Sequence, residues 1–339
     1  MKILIHDNRD HHFDSKWGAY FEKNGIDYEK KNLMGIDFNN DLEDVNGVMW
    51  HFRLFPEEKR AANYILNTIE YVYHIPTWPN FQTRWHFDEK IAQHYLLKSI
   101  DVPQIQSWVF WDFESAKFFL ENYESYPIVM KLSVGAGAAN VFLVQNVDEA
   151  LLFARDMFEQ GIFPYTKNEF NNKSLKRKIK NTANYIRKNI IPVPDNYNLQ
   201  KNYVYIQEYI PNSGDIRVTI IGDRAFAFCR ENRENDFRAS GSGRIIYDLS
   251  KIPLQAIESA FEVSKKLQFQ SMAYDFLLNN EGQALINEIS YGYNDRAVYE
   301  CRGHWDSELK WHEGHMWPEE AQVQDFIYYI EQYKHSNLR

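Results

Sequence analysis

Two carboxylates, Asp275 and Glu288, stand in apolar runs that read as paired strands, AYDFLL and QALINEIS, joined by NNEG. A turn over Asn279, Asn280, Glu281 and Gly282 makes the pairing symmetric and sets Asp275 opposite Ile286. Alternation then points Asp275, Ile286, Glu288 and Ser290 to one face. Asp275 and Glu288 become diagonal neighbours, close enough to share an ion. Carboxylates held this way suit a hard, oxygen-seeking cation such as Mg²⁺. The competing reading pairs one of them with a nearby arginine.

Lys131 is a second candidate. It stands in the apolar run 128–132, where an ammonium needs an anionic partner, and a phosphate would serve. The loop SVGAGAAN (133–140) follows at once, with Ser133, Gly135 and Gly137 among its small residues. Such a loop lets backbone N–H groups approach a phosphate closely. It lacks the GK[ST] of a P-loop, and a strand rather than a helix follows it, so it is not a dinucleotide fingerprint. Arginines complete the set: Arg217 with Asp215 in DIR, Arg230 at a strand end, and Arg238 in FRASGSG. Guanidinium groups bind phosphate and carboxylate bidentately.

The elements that must hold these residues can be read from periodicity. Residues 2–6 and 45–51 look like strands, and 57–73 like a helix with Ala61, Ile65, Ile69 and Val72 along one stripe. A helix over 86–99 puts Phe87, Ile91 and Tyr95 on one face with Lys90 beside them. Strand, glycine loop and strand follow over 127–144, a helix over 148–160, a strand over 203–210, and the pair RVTII and AFAFC. Another helix covers 253–267. A last one opens at Pro318, with Glu319 and Glu320 in its first turn.

The chain of 339 residues is too long for one simple core. Two cysteines, Cys229 and Cys301, build no disulfide framework, which favours a reducing compartment. The opening MKILIHD is too short in apolar residues for a signal peptide, and no run is long enough to span a membrane. The net charge of −9 argues against nucleic acid as the partner. It is uneven: residues 167–201 carry nine Lys/Arg against two Asp/Glu, a local +7 that leaves −16 elsewhere. That block reads either as a solvated helix face or as a surface for an anionic substrate or partner.

Taken in order, the segments resemble the ATP-grasp superfamily, in the branch of glutathione synthetases and ribosomal-protein glutamate ligases. The specific part is the order: helix lysine, strand lysine with glycine loop, QEYI, DIR, FRASGSG, strand aspartate, NEIS. The resemblance covers about residues 80–295 and implies an α/β (α+β) chain with a Rossmann-like N-terminal domain. The expected divisions are an N-terminal domain at 1–80, connecting helices at 81–125, a lid subdomain at 126–210 with a basic insertion at 165–201, and a C-terminal subdomain with the metal site at 211–339. It further implies ATP with one or two Mg²⁺ ions, for which Mn²⁺ can substitute. Lys90 and Lys131 would contact phosphates under the 133–139 loop. Gln207, Glu208, Tyr209 and Ile210 would hold adenine, with Asp215 and Arg217 matching the family pair that follows. Arg230 and Arg238 would face phosphate or an acyl intermediate. Asp275, Glu288 and Ser290 would hold metal.

By the same resemblance the activity is ligation of a carboxylate to an amine through an acylphosphate, on small-molecule or peptide substrates (a sugar acid, an amino acid or a peptide, in cell-surface polysaccharide or peptide modification), in the cytoplasm, by a dimer or tetramer. Ser290 departs from the family, which has asparagine there, and Asn294 or water could complete that site. A substrate pocket is expected after the metal strand, where Tyr291, Tyr293, Asn294, Arg296 and Arg302 lie. Two rivals stand beside the ligase: a kinase acting on a hydroxyl, and a nucleotide-binding module without catalysis. Zinc at His312 and His315, with His11 and His12 elsewhere, is disfavoured by the spacing.

Overall fold

The computed structural model describes residues 1–8, 12–135, 140–164, 199–234, 237–239 and 243–337. Gly137 and almost all of the basic insertion lie outside these residues, as does His11. No described helix is long and apolar enough to cross a membrane.

The first unit alternates strand and helix: β1 (Lys2–His6), α1 (His12–Lys23), β2 (Asp27–Lys31), α2 (Phe38–Asp41), β3 (Val45–Met49), α3 (Pro56–Tyr71) and β4 (Thr77–Trp78). The strands form a parallel sheet in the order β2-β1-β3-β4. Parallel strands need crossovers, and the helices supply them. α3 starts with Pro56 at its first position and acids in its first turn. Its buried face is Glu58, Ala62, Leu66 and Ile69; of the predicted stripe only Ile69 is fully buried, and Val72 is exposed. The helix is turned because Glu58 is drawn inward, where its carboxylate accepts Arg53 N at 3.1 Å and Arg53 Nε at 2.9 Å.

Helices α4 (Phe81–Arg84) and α5 (Lys90–Lys98) come next. The predicted helix over 86–99 begins late, because Asp88 takes the left-handed region at φ 54°. Phe87 therefore precedes the helix, and Tyr95 faces outward. The middle unit comprises β5 (Ser107–Phe110), α6 (Phe113–Asn122), β6 (Ile128–Lys131), β7 (Val141–Val144), α7 (Val147–Glu159) and β8 (Val204–Glu208). Its antiparallel sheet runs β5-β8-β6-β7. Asp112 and Asn146 cap α6 and α7 by accepting backbone N–H groups.

The third unit holds β9 (Gly214–Ile221), β10 (Arg224–Glu231), β11 (Ile245–Ile246), α8 (Leu254–Leu267), β12 (Ser271–Leu278), β13 (Ala284–Ser290), α9 (Asp295–Tyr299), β14 (Gly303–Asp306), β15 (Trp311–Glu313) and α10 (Pro318–Asn337). Its seven-stranded sheet runs β13-β12-β9-β10-β14-β15, with β11 also on β10. The β9–β10 pair matches the sequence reading. The last helix returns to the start of the chain. Val323, Phe326 and Ile330 of α10 are buried with Ile3, Ile5, Met49 and Trp78 on one face of the first sheet. Burying each such side chain stabilises by about 1.5–3 kcal/mol. Gly47 of β3 permits the approach, since a Cβ there would lie 2.5 Å from Ile330 Cδ1.

One buried group makes stability depend on pH. Burial pulls the His86 imidazole down to about 4 from its ordinary 6.5. Its folded value lies below its unfolded one, so the unfolded chain takes the proton first as pH falls, and stability is lost between 6.5 and 4. Replacing His86 with leucine removes this term. Between pH 7 and pH 5, the variant should gain about 2 kcal/mol on wild type in urea unfolding. A constant gap would show that His86 is not held neutral.

Candidate functional site

A cleft opens between the middle sheet and the seven-stranded sheet. Val129 and Lys131 of β6 and Gln207 and Glu208 of β8 line one side, and Asp275, Leu277, Asn287 and Glu288 line the other. Tyr209, Ile210, Asp215 and Arg238 complete it. The cleft is open to solvent on one side.

The hairpin β12–β13 differs from its predicted register in two steps. The loop is one residue longer: Asn279 N donates to Gln283 O, Gly282 sits at φ 78°, and Leu278 pairs with Ala284. A bulge then falls at Asn287, between the pairs Phe276–Ile286 and Asp275–Glu288. Asp275 is therefore directly opposite Glu288 instead of Ile286. Ile286 shares the core with Phe276, away from the carboxylates.

The buried charges of this sheet form a four-membered cluster. Arg217 lies opposite Asp275 and binds it twice, Nε to Oδ1 at 2.7 Å and NH2 to Oδ2 at 2.8 Å. Arg230 lies opposite Asp215 and binds it at 2.6 and 2.5 Å. Its NH2 also reaches Asp275 Oδ2 at 2.8 Å. Burial opposes ionisation of Asp275, yet the two guanidiniums hold its carboxyl well below the usual carboxylate range. Burial and the charge on Asp275 push the Asp215 carboxyl up to about 6. Both sequence readings of Asp275 thus meet in one residue: it stands beside Glu288 and is paired with arginine.

The lysines come from the other side. Lys90, the first residue of α5, is buried, with Nζ donating to Gly135 O at 2.6 Å and 3.4 Å from Glu288 Oε1. Burial would lower its pKa, but Glu288 and Asp88 outweigh that and raise it. Lys131 donates to Asn287 Oδ1 at 3.0 Å. Burial, with Lys90 nearby, pulls its ammonium down to about 8 against the pull of Glu288 and Asp275. A lysine of depressed pKa held by a neutral amide is poised for an anion.

The glycine loop is gripped at its base. Gly135 N donates to Asp88 Oδ1 at 2.8 Å, Ser133 Oγ to Glu89 Oε2 at 3.1 Å, and Ser133 N to the Tyr203 hydroxyl at 2.8 Å. In the segment Gln207–Ile210, the Glu208 N–H is taken by Gln106 O at 2.9 Å. Arg238 NH1 lies 3.5 Å from Val141 O, across the cleft mouth.

The residues predicted for substrate do not converge. Tyr291 is buried and donates to Phe52 O at 2.6 Å, and Tyr293 is buried against Ser271 and Gln322. Both rings serve packing, because a buried phenol must find an internal partner. Asn294 caps α9 through Ala297 N, Arg296 is exposed beside Glu300, and Arg302 is exposed. Ser290 Oγ donates to Gly292 O at 2.9 Å. His312 binds Asp306 at 2.6 Å on a hairpin, and His315 meets Tyr299 O. Among the described residues no group of three His, Cys, Asp or Glu is set to hold a metal. Glu288 and Asp275 can still anchor Mg²⁺, which is commonly bound by one or two carboxylates with phosphates and water supplying the rest. Asn287, Asp88 and Tyr203 were missed by the sequence reading. Only the asparagine stood next to a residue already singled out.

No family model matches the chain, and no curated protein matches it in sequence. Solved structures do match. A RimK-domain ATP-grasp protein from Sphaerobacter thermophilus aligns with a TM-score of 0.56 at 13% identity, over 97% of this chain and 100% of its own. D-alanine–D-alanine ligase from Bacillus anthracis, complexed with ATP, aligns at 0.58 and 12% over 98% of each chain. The macrocyclase MdnC from Microcystis aeruginosa, bound with the precursor peptide MdnA, aligns at 0.56 and 15% over 97% of this chain and 100% of its own. The likeness runs the length of each partner, and the chain has the ATP-grasp fold.

Proposed function

We propose that this chain, built on the ATP-grasp fold, is a carboxylate–amine ligase that activates its acid with Mg-ATP. The observation that carries the reading is the meeting of Lys131, Asp275 and Glu288 on one cleft between two sheets, with Lys90 beside Glu288 and with Arg217 and Arg230 on Asp275. Adenine would lie against Ile210 and Leu277, with the phosphates toward Lys90, Lys131 and the glycine loop. Mg²⁺, held by Glu288 and Asp275, would neutralise charge on the phosphate oxygens.

The chain's own groups then do the following. Lys90 and Lys131 orient the γ-phosphate for in-line attack by a substrate carboxylate oxygen, which is most of what phosphoryl transfer requires. The γ-phosphorus–oxygen bond to ADP breaks as the acylphosphate bond forms. Arg217 and Arg230 would supply positive charge to the acyl oxyanion that develops when an amine attacks the carbonyl carbon and phosphate leaves. Asp88, Glu89 and Tyr203 hold the base of the loop at Gly135 and Ser133, an anchor on which a closing lid would exclude water. Neighbours held with precursor peptides support a peptide as one substrate.

One observation favours a second reading, a nucleotide-binding module without turnover: Asp275 gives both oxygens to arginines. Product analysis separates these and the kinase. With a panel of peptide acids and amines, ADP and phosphate should appear in step with amide. AMP with pyrophosphate would defeat the ligase, a phosphorylated hydroxyl would install the kinase, and nucleotide binding without turnover would favour the module.

A further inference from the structure

We infer that Asn287 Oδ1, rather than Ser290 Oγ, is the uncharged oxygen that joins Glu288 in holding the divalent cation of the nucleotide. The inference rests on the nucleotide–metal reading of the cleft and names a residue within it. The first observation is the bulge. Asn287 is the extra residue between the pairs Phe276–Ile286 and Asp275–Glu288. In a regular strand, residues 287 and 288 would point to opposite faces. Here both line the cleft, while Ile286 packs into the core. Bulges beside active sites commonly re-aim a side chain in this way.

The second observation is where the competing oxygens are spent. Ser290 Oγ donates to Gly292 O at 2.9 Å and accepts Gly292 N at 3.2 Å, closing a turn on itself. Asn294 Oδ1 accepts Ala297 N at 2.8 Å as a helix cap. Asn287 Oδ1 instead faces a cation already, Lys131 Nζ at 3.0 Å. An arriving phosphate would compete for the Lys131 ammonium, and Asn287 Oδ1 would then be open to the ion that the phosphate brings. The exchange is conservative: one cation leaves Oδ1 and another takes its place. A neutral ligand also adds no third negative charge beside Asp275 and Glu288.

The test is electron paramagnetic titration of Mn²⁺ into the full chain saturated with a non-hydrolysable ATP analogue. Wild type, Asn287→Ala, Asn287→Asp, Ser290→Ala and Glu288→Gln are compared, with thermal melting as the check on folding. Asn287→Ala should weaken Mn²⁺ about tenfold or more. Asn287→Asp should bind it as tightly as wild type or tighter, and Ser290→Ala should leave it unchanged. If Asn287 only positions Lys131, Asn287→Ala will weaken the analogue in chelator and leave Mn²⁺ affinity alone, which overturns the assignment. Should the alanine variant not fold, weaker Mn²⁺ binding by Asn287→Asp overturns it equally. Loss of Mn²⁺ in Glu288→Gln but not in Asn287→Ala defeats this assignment and keeps the nucleotide–metal reading. A wild-type chain that binds no analogue defeats both.

Discussion

Truncating Arg230 to methionine is expected to cost the fold about 3–5 kcal/mol, because it strands buried carboxylates that have nowhere to place their charge. Arg230 is the shared member of the cluster, bidentate to Asp215 and also on Asp275. All three side chains are less than a tenth exposed. Without Arg230, only Arg217 faces two aspartates. Adding Asp215→Asn returns the group to one cation and one anion, Arg217 with Asp275. The double variant should then recover a large part of the loss, so the two changes will be far from additive in urea unfolding. The pH sense follows from Asp215, whose carboxyl burial and Asp275 already push up to about 6. A folded value above the unfolded one means stability falls as pH rises, so the deficit of Arg230→Met should shrink on acidification. Strict additivity, or a loss below about 1 kcal/mol, would mean the cluster is solvated and not a buried network.

The other large effect is on ligand binding. Glu288→Ala should invert the metal dependence of nucleotide binding, and not merely weaken it. In wild type, Glu288 Oε1 lies 3.4 Å from Lys90 Nζ, and on the proposed reading its carboxylate would also anchor the ion. Removing it takes away the metal anchor, so affinity for the Mg-bound analogue should drop roughly 10–100-fold. It also strips a counter-charge from Lys90 and Lys131, so the metal-free analogue should bind as well as before or better. Calorimetry with and without Mg²⁺ separates the two effects. Equal weakening in both conditions would make Glu288 a structural partner of Lys90, and the cleft would lose its metal.

Much of this was legible in the sequence, and the failures have local causes. The strand pairs, the lysine before the glycine loop and the Asp275–Glu288 neighbourhood follow from alternation and composition. The register did not, because two insertions of one residue, one in the loop and one at Asn287, leave no mark on an apolar pattern. Their sum brings Glu288 directly opposite Asp275. The helix start was misplaced because Asp88 breaks the backbone to reach Gly135, a tertiary demand no local propensity records. The α3 stripe was rotated by an ion pair, Arg53 with Glu58, that outweighs periodicity. Tyr291 and Tyr293 read as pocket rings because aromatic composition does not distinguish lining from filling.

The return of α10 to the first sheet has a consequence for synthesis. The four strands of that sheet are complete at Trp78, but one of its faces is closed jointly by Phe13, Trp17 and Phe21 of α1 and by Val323, Phe326 and Ile330 of α10. On the ribosome, roughly 240 further residues must be made before the helix emerges, on the order of 10–50 s at usual elongation rates. For that interval Ile3, Ile5, Met49 and Trp78 have the cover of α1 but not that of α10. The packing of the N-terminal unit is therefore finished only when a helix that lies far downstream in the chain has been made.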